Sequence, residues 1–171
     1  MRSPAERRLA YQVELARGRR LAAGIPADET WSKRLRQRWP MRLMCSMECG
    51  PGWADLVEAL NELIDVEATG EFRFTQIKEK FGQLRAYWHG VDEHGRIEEL
   101  VEAAEEVSAS MCETCGGDAK VWQTQGGPGF GYVHVACDEH ARPGSAIVRV
   151  KTEKIRTPIG NFRANKVEDD T

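Results

Sequence analysis

Two cysteine clusters constrain this chain more than any other feature. They are Cys112-Glu113-Thr114-Cys115 and, after a 21-residue gap, Cys137-Asp138-Glu139-His140. Each places two soft ligands three positions apart, the spacing at which one tight turn aims both at a single ion. Two such half-sites supply four donors, the tetrahedral number that zinc prefers, and a Cys3His set closes the tetrahedron without water. The spacing therefore predicts a structural Zn2+ on Cys112, Cys115, Cys137 and His140, with Gly116 and Gly117 forming the turn beneath it. His134 is an alternative fourth ligand, but its run Tyr132-Val133-His134-Val135 reads as a strand. A redox pair made of Cys112 and Cys115 would leave the second half-site without a purpose.

The other thiols are Cys45 and Cys49. An odd total of five, arranged in short spacings, suits zinc-bound thiolates in a reducing cytoplasm better than a secreted disulfide framework. No apolar run approaches the ~20 residues that cross a bilayer, and the stretch Met1 to Arg8 has no apolar core of a secretion signal. The expected setting is therefore cytoplasmic, with no membrane partner.

The overall charge of −3 conceals segregation: residues 1–42 sum to +7 and residues 43–111 to −10, while 142–166 are again basic. Either the basic ends fold back onto the acidic middle, or they form a surface for nucleic acid or a partner. The candidate contacts are Arg17, Arg19, Arg20, Lys33, Arg34, Arg36 and Arg38.

Periodicity predicts the elements. Residues 4–23 read as a helix with a thin apolar stripe of Leu9, Val13, Ala16 and Leu21, expected to dock weakly or on a partner. A second short helix fits Trp31 to Trp39. The clearest helix runs from Trp53 to about Ile64, with Leu56, Val57, Leu60, Leu63 and Ile64 on one face after the turn Gly50-Pro51-Gly52. Phe72 to Ile77 and Leu84 to Trp88 read as a hairpin around a loop of Lys78 to Gly82, with a bulge or two covered faces to explain the broken alternation. Arg96 to Met111 reads as a helix whose glutamates, including Glu105, form a wet face. Short strands at Val121-Trp122, Tyr132–Val135 and Ala146–Val150 follow, with Gly126-Gly127-Pro128-Gly129 as a flexible joint and the acidic end read as disordered. The fold class is α+β: a small antiparallel sheet packed on amphipathic helices, with a zinc-knuckle element. The organisation is a basic helical segment at 1–42, a zinc-binding core at 43–145 and a basic strand with tail at 146–171.

A nuclease of the HNH type would need a histidine base beside a metal-binding group between the cysteine pairs. The gap offers Asp118 and His134, far apart in sequence, so an enzyme is disfavoured. Cys45 and Cys49 read as half-buried small residues before a helix. Lys78, Lys80, Phe81 and Arg85 admit two readings: a hairpin tip contacting phosphates and a base, or cations paired with the acidic helices.

The order of motifs resembles a group of small, largely uncharacterised bacteriophage and prophage proteins. The resemblance rests on the Cys49-Gly50-Pro51-Gly52-Trp53 turn, the string Gln76-Ile77-Lys78-Glu79-Lys80-Phe81-Gly82-Gln83-Leu84-Arg85, the helix containing Ala104-Glu105 and Ser108, and the two metal half-sites. It covers roughly residues 41–140. It implies a phage-associated setting in the bacterial cytoplasm and a zinc knuckle, and it brings no catalytic residues. The resulting expectation is a non-enzymatic binding protein acting on a host or phage protein, for instance by interfering with a host process or defence system. A nucleic-acid-binding module is the alternative.

Overall fold

The computed structural model describes residues 2–125, 131–157 and 160–169. Helix α1 (Pro4–Ala22) starts where the Ser3 hydroxyl accepts a hydrogen bond from the Glu6 N–H at 3.1 Å, with proline at its first position. Helix α2 spans Trp31–Arg38, and the short strand β1 spans Ser46–Glu48. A 3-10 turn at Pro51–Trp53 then feeds helix α3 (Ala54–Glu67). Strands β2 (Phe72–Lys80) and β3 (Gln83–Gly90) precede helix α4 (Arg96–Ser108), and strands β4 (Lys120–Thr124), β5 (Val133–Ala136), β6 (Ser145–Thr157) and β7 (Gly160–Asp169) follow it. In the first sheet the order is β1-β2-β3, with β1 parallel to β2; the second has the order β5-β4-β6-β7 and is antiparallel. The chain is an α+β protein.

The core forms around α3, whose Leu56, Val57, Leu60 and Ile64 are fully buried with Leu9 and Val13 of α1, Trp31 and Leu35 of α2, Ile77 and Leu84 of the hairpin, and Ile97 and Leu100 of α4. Helix α1 is thus no loosely docked element. Its stripe of Leu9, Val13 and Ala16 is buried, and only Leu21 stands exposed. Charge explains how so thin a stripe suffices. The polar side of α3 points Asp55, Glu58 and Glu62 at the basic head, where Arg20 grips Asp55 through two bonds of 2.8 and 3.0 Å. Arg19 and Arg38 converge on Glu58 and Glu62, with Arg38 Nη2 2.6 Å from Glu62 Oε1. The basic head folds back onto the acidic middle.

In the β2–β3 hairpin, Lys78, Glu79 and Lys80 belong to β2 instead of the expected loop, because the reversal needs only two residues. Phe81 and Gly82 make it, at φ 55° and 72°, the double left-handed pattern of a type I′ turn. The broken alternation is a bulge between Phe74 and Gln76. The outer edge of β3 is capped by α4: the Leu84 N–H donates to Ser108 Oγ at 2.7 Å, and that hydroxyl donates to the Glu105 carbonyl at 2.6 Å. Ser108→Ala will strand the buried Leu84 N–H and cost about 1–3 kcal/mol, read as a shift in urea midpoint with an unchanged slope.

Two further expectations are corrected. Glu105 is buried against Arg85 (3.4 Å between Nη1 and Oε2) and does not join the wet face of α4. Of the acidic end, expected to be disordered, Glu168 and Asp169 pair with Arg149 and Val148 as the last residues of β7, which runs along β6 back to Thr157–Gly160, since two strands of this length satisfy each other's backbone groups. The joint Gly126-Gly127-Pro128-Gly129 and the terminal Asp170 and Thr171 lie outside the described residues.

Candidate metal centre

The first half-site is built by the turn that ends α4. Cys112 N–H donates to the Gly117 carbonyl at 2.7 Å, and Gly116 N–H donates back to the Cys112 carbonyl at 2.8 Å. Gly116 sits at φ 77°, a conformation that glycine adopts without strain. The second half-site is a turn after β5, where the N–H groups of His140 and Ala141 both donate to the Cys137 carbonyl at 3.1 and 3.0 Å. Antiparallel pairing of Lys120–Gln123 with Val133–Ala136 brings the two turns together.

The donor atoms of Cys112, Cys115, Cys137 and His140 all lie within 4.8 Å of one another. Cys115 Sγ is 3.9 Å from Cys137 Sγ, and His140 Nδ1 is 3.7 Å from Cys112 Sγ and 3.0 Å from Cys137 Sγ. Two sulfurs each about 2.3 Å from one tetrahedral ion would sit about 3.8 Å apart, so the donor set fits a metal. The cysteines form no disulfide. The imidazole turns Nδ1 toward the sulfurs. His134 takes no part: its Nε2 accepts the Arg142 N–H at 3.3 Å, and burial, then the Arg142 charge, lowers its proton affinity.

The two thiols of the first half-site are shifted in opposite directions. Burial raises the Cys112 thiol, but backbone N–H groups of Cys137, Cys115 and Thr114 outweigh that and bring it to about 7. Burial pushes Cys115 up, and the neighbouring Cys112 and Cys137 push further, to about 11, against the pull of the Gly117 N–H. A divalent cation at the centre would supply positive charge that stabilises neighbouring thiolates.

Sequence reasoning missed what holds the centre against the core. The Gly50-Pro51-Gly52-Trp53 turn dovetails into the first half-site. Gly52 N–H donates to the Glu113 carbonyl at 2.7 Å and Gly50 N–H to Glu113 Oε1 at 2.8 Å. Trp53 Nε1 donates to the Met111 carbonyl at 2.9 Å. A methyl group on Gly52 would lie 2.2 Å from the Cys112 carbonyl oxygen, so glycine alone allows this approach. From α1, Arg17 reaches across to the Gly116 carbonyl at 2.5 Å. Two glycines bracketing a proline before a tryptophan were the visible sign, and they read only as a turn.

The other residues expected at a contact surface divide into two groups. Arg17, Arg19, Arg20, Arg38 and Arg85 face acids of the protein itself. Arg36 donates to the carbonyls of Leu43 and Cys45 at 3.1 and 2.8 Å. Arg34 is half-buried near Asp28, whose carboxyl is lowered chiefly by hydrogen bonds from Thr30. Lys33 and Lys80 are exposed, Lys78 is half-buried, and Phe81 is exposed at the hairpin tip. Cys45 and Cys49 are half-buried as expected, and burial raises both thiols.

Fold and site together define an α+β protein with a Cys3His donor cluster compatible with a metal site. No protein-family model, curated protein or solved structure matches the chain. Among the described residues no helix is long and apolar enough to cross a membrane.

Proposed function

We propose that this is a zinc-stabilised, non-enzymatic binding protein whose partner is a host or phage protein in a bacterial cytoplasm. The observation behind it is the donor set: three thiols and one imidazole lie within 4.8 Å of one another, and on one ion they would complete a tetrahedron with no position left for a reacting water. Thiolate-rich tetrahedral sites select zinc among the divalent ions at hand. The internal pairing of Arg17, Arg19, Arg20 and Arg38 with α3 favours a protein partner over nucleic acid held by the basic head. The resemblance to phage-associated proteins supplies the setting, in which interference with a host process or defence system is the fitting role.

Two measurements test this. The purified protein will contain one equivalent of zinc, and its cobalt-substituted form will show tetrahedral bands that azide and thiocyanate leave unchanged. A spectrum that shifts with those anions would reveal an open, catalytic position and defeat the structural reading. Tagged protein expressed in phage-infected cells will retain a stoichiometric protein partner. Nucleic acid that washes away with salt, with no protein retained, would replace the protein-partner reading.

A further inference from the structure

The outward face of the first sheet carries Arg85, which pairs with Glu105, and three further cations on β2. Arg73, Lys78 and Lys80 of β2 make no ion pair among the described residues. The acid opposite them, Glu48 of β1, stands in register with Lys78 and accepts a hydrogen bond from Gln76 at 3.4 Å. Two aromatic rings share this surface. Tyr87 of β3 is 46% exposed with Lys78 Nζ 5.5 Å from its ring centroid, and Phe81 at the tip is 41% exposed with Lys80 Nζ 5.6 Å from its own.

Phe81 adds an independent observation. It occupies the first left-handed position of the turn, where asparagine, aspartate or glycine is comfortable and an aromatic residue is strained. Packing explains the choice only in part, because the residue remains 41% exposed. Its neighbour Gly82 is fixed by packing, since a methyl group there would meet Val121 Cγ1 at 2.9 Å. The tip is therefore held rigidly against β4 and β5 while it displays a phenyl ring at a conformational cost. Strain kept at a position that leaves much of the ring exposed is a mark of a working surface.

We infer that this sheet face binds single-stranded nucleic acid, with bases stacked on Tyr87 and Phe81 and phosphates on Arg73, Lys78 and Lys80. Tyr87 stands opposite Gln76, five residues before Phe81, so the rings are roughly 17 Å apart, which lets both take bases from one extended strand. Stacking requires unstacked bases, so the face selects single strands over duplex. This surface is separate from the metal centre, and the zinc reading and this one can fail independently.

The test is fluorescence anisotropy with a labelled mixed-sequence single-stranded oligonucleotide, using the full-length, metal-loaded protein. Binding will weaken with salt, with a log–log slope of about −2 for three neutralised phosphates. Tyr87→Ala and Phe81→Asn will each weaken it roughly five- to hundred-fold. Phe81→Asn separates binding from folding, because an Asn-Gly turn relieves the strained position and the melting temperature will hold or rise. The inference is overturned by the lack of binding at low salt, by equal affinity for a duplex of the same length, or by full affinity in both aromatic variants.

Discussion

Replacing Cys115 with serine will release the metal and loosen residues 112–140, while the core around α3 stays folded. The knuckle has little apolar packing of its own. Val133, Val135 and Ala136 are its buried strand residues, and Cys115 itself is exposed. Cohesion in such a segment comes from the ion, and structural zinc contributes roughly 10–16 kcal/mol in small zinc peptides. Losing one thiolate forfeits a large share of that. Helix α3 keeps its partners, because Leu56, Leu60 and Ile64 pack against α1, α2 and the hairpin. Hydrogen exchange with mass spectrometry will show loss of protection over 112–140 and retained protection over 54–67. Metal analysis will fall below one equivalent; full retention in this variant would refute the ligand assignment.

Gly52→Ala will destabilise the protein by about 4 kcal/mol or more, in the range that marks a specific structural cause. The added methyl group meets backbone on three sides: the carbonyl oxygens of Cys112 and Glu113 at 2.2 and 2.6 Å and the Gly116 nitrogen at 2.6 Å. None of these can rotate away as a side chain would. Relief requires moving the metal-binding turn off the 3-10 turn, which breaks the Gly52–Glu113 hydrogen bond and disturbs the Trp53 bond to the Met111 carbonyl. The urea midpoint and the metal dissociation constant will both worsen. By contrast, Gly18→Ala, on an open stretch of α1 with nothing within 4 Å of the new methyl group, will be neutral or slightly stabilising. Equal stability of Gly52→Ala and the parent would show that the turn and knuckle are not in such close contact.

The parts of the fold legible in the sequence were those encoded over short spans. Helix α3 announced itself through Leu56, Val57, Leu60 and Ile64, and the metal ligands through two three-residue spacings. What escaped was encoded between distant residues. The docking of α1 depends on Arg20 meeting Asp55 and Arg19 meeting Glu62, partners 35 and 43 residues away, so its narrow stripe looked insufficient. The hairpin turn was placed too wide because Lys78, Glu79 and Lys80 resemble loop residues, whereas their pairing with Arg85, Leu84 and Gln83 makes them strand. Glu105 looked solvated until Arg85, on a neighbouring strand, met it. The acidic character of the last residues hid a strand whose partner, β6, supplies the hydrogen bonds. Gly52 read as flexibility, although its role is the absence of a side chain where two backbones cross.

The reach of Arg17 has a thermodynamic consequence. Its guanidinium touches both the Gly116 carbonyl in the turn of the first cysteine pair and, at 3.8 Å, the Asp55 carboxylate of α3. Under the proposed function, seating of the amino-terminal helix and filling of the Cys3His cluster by an ion would be coupled, and coupling of this kind is reciprocal. Whatever lifts α1 from its bed loosens the grip on the cation, and stripping the cation lets α1 go more easily by the same factor.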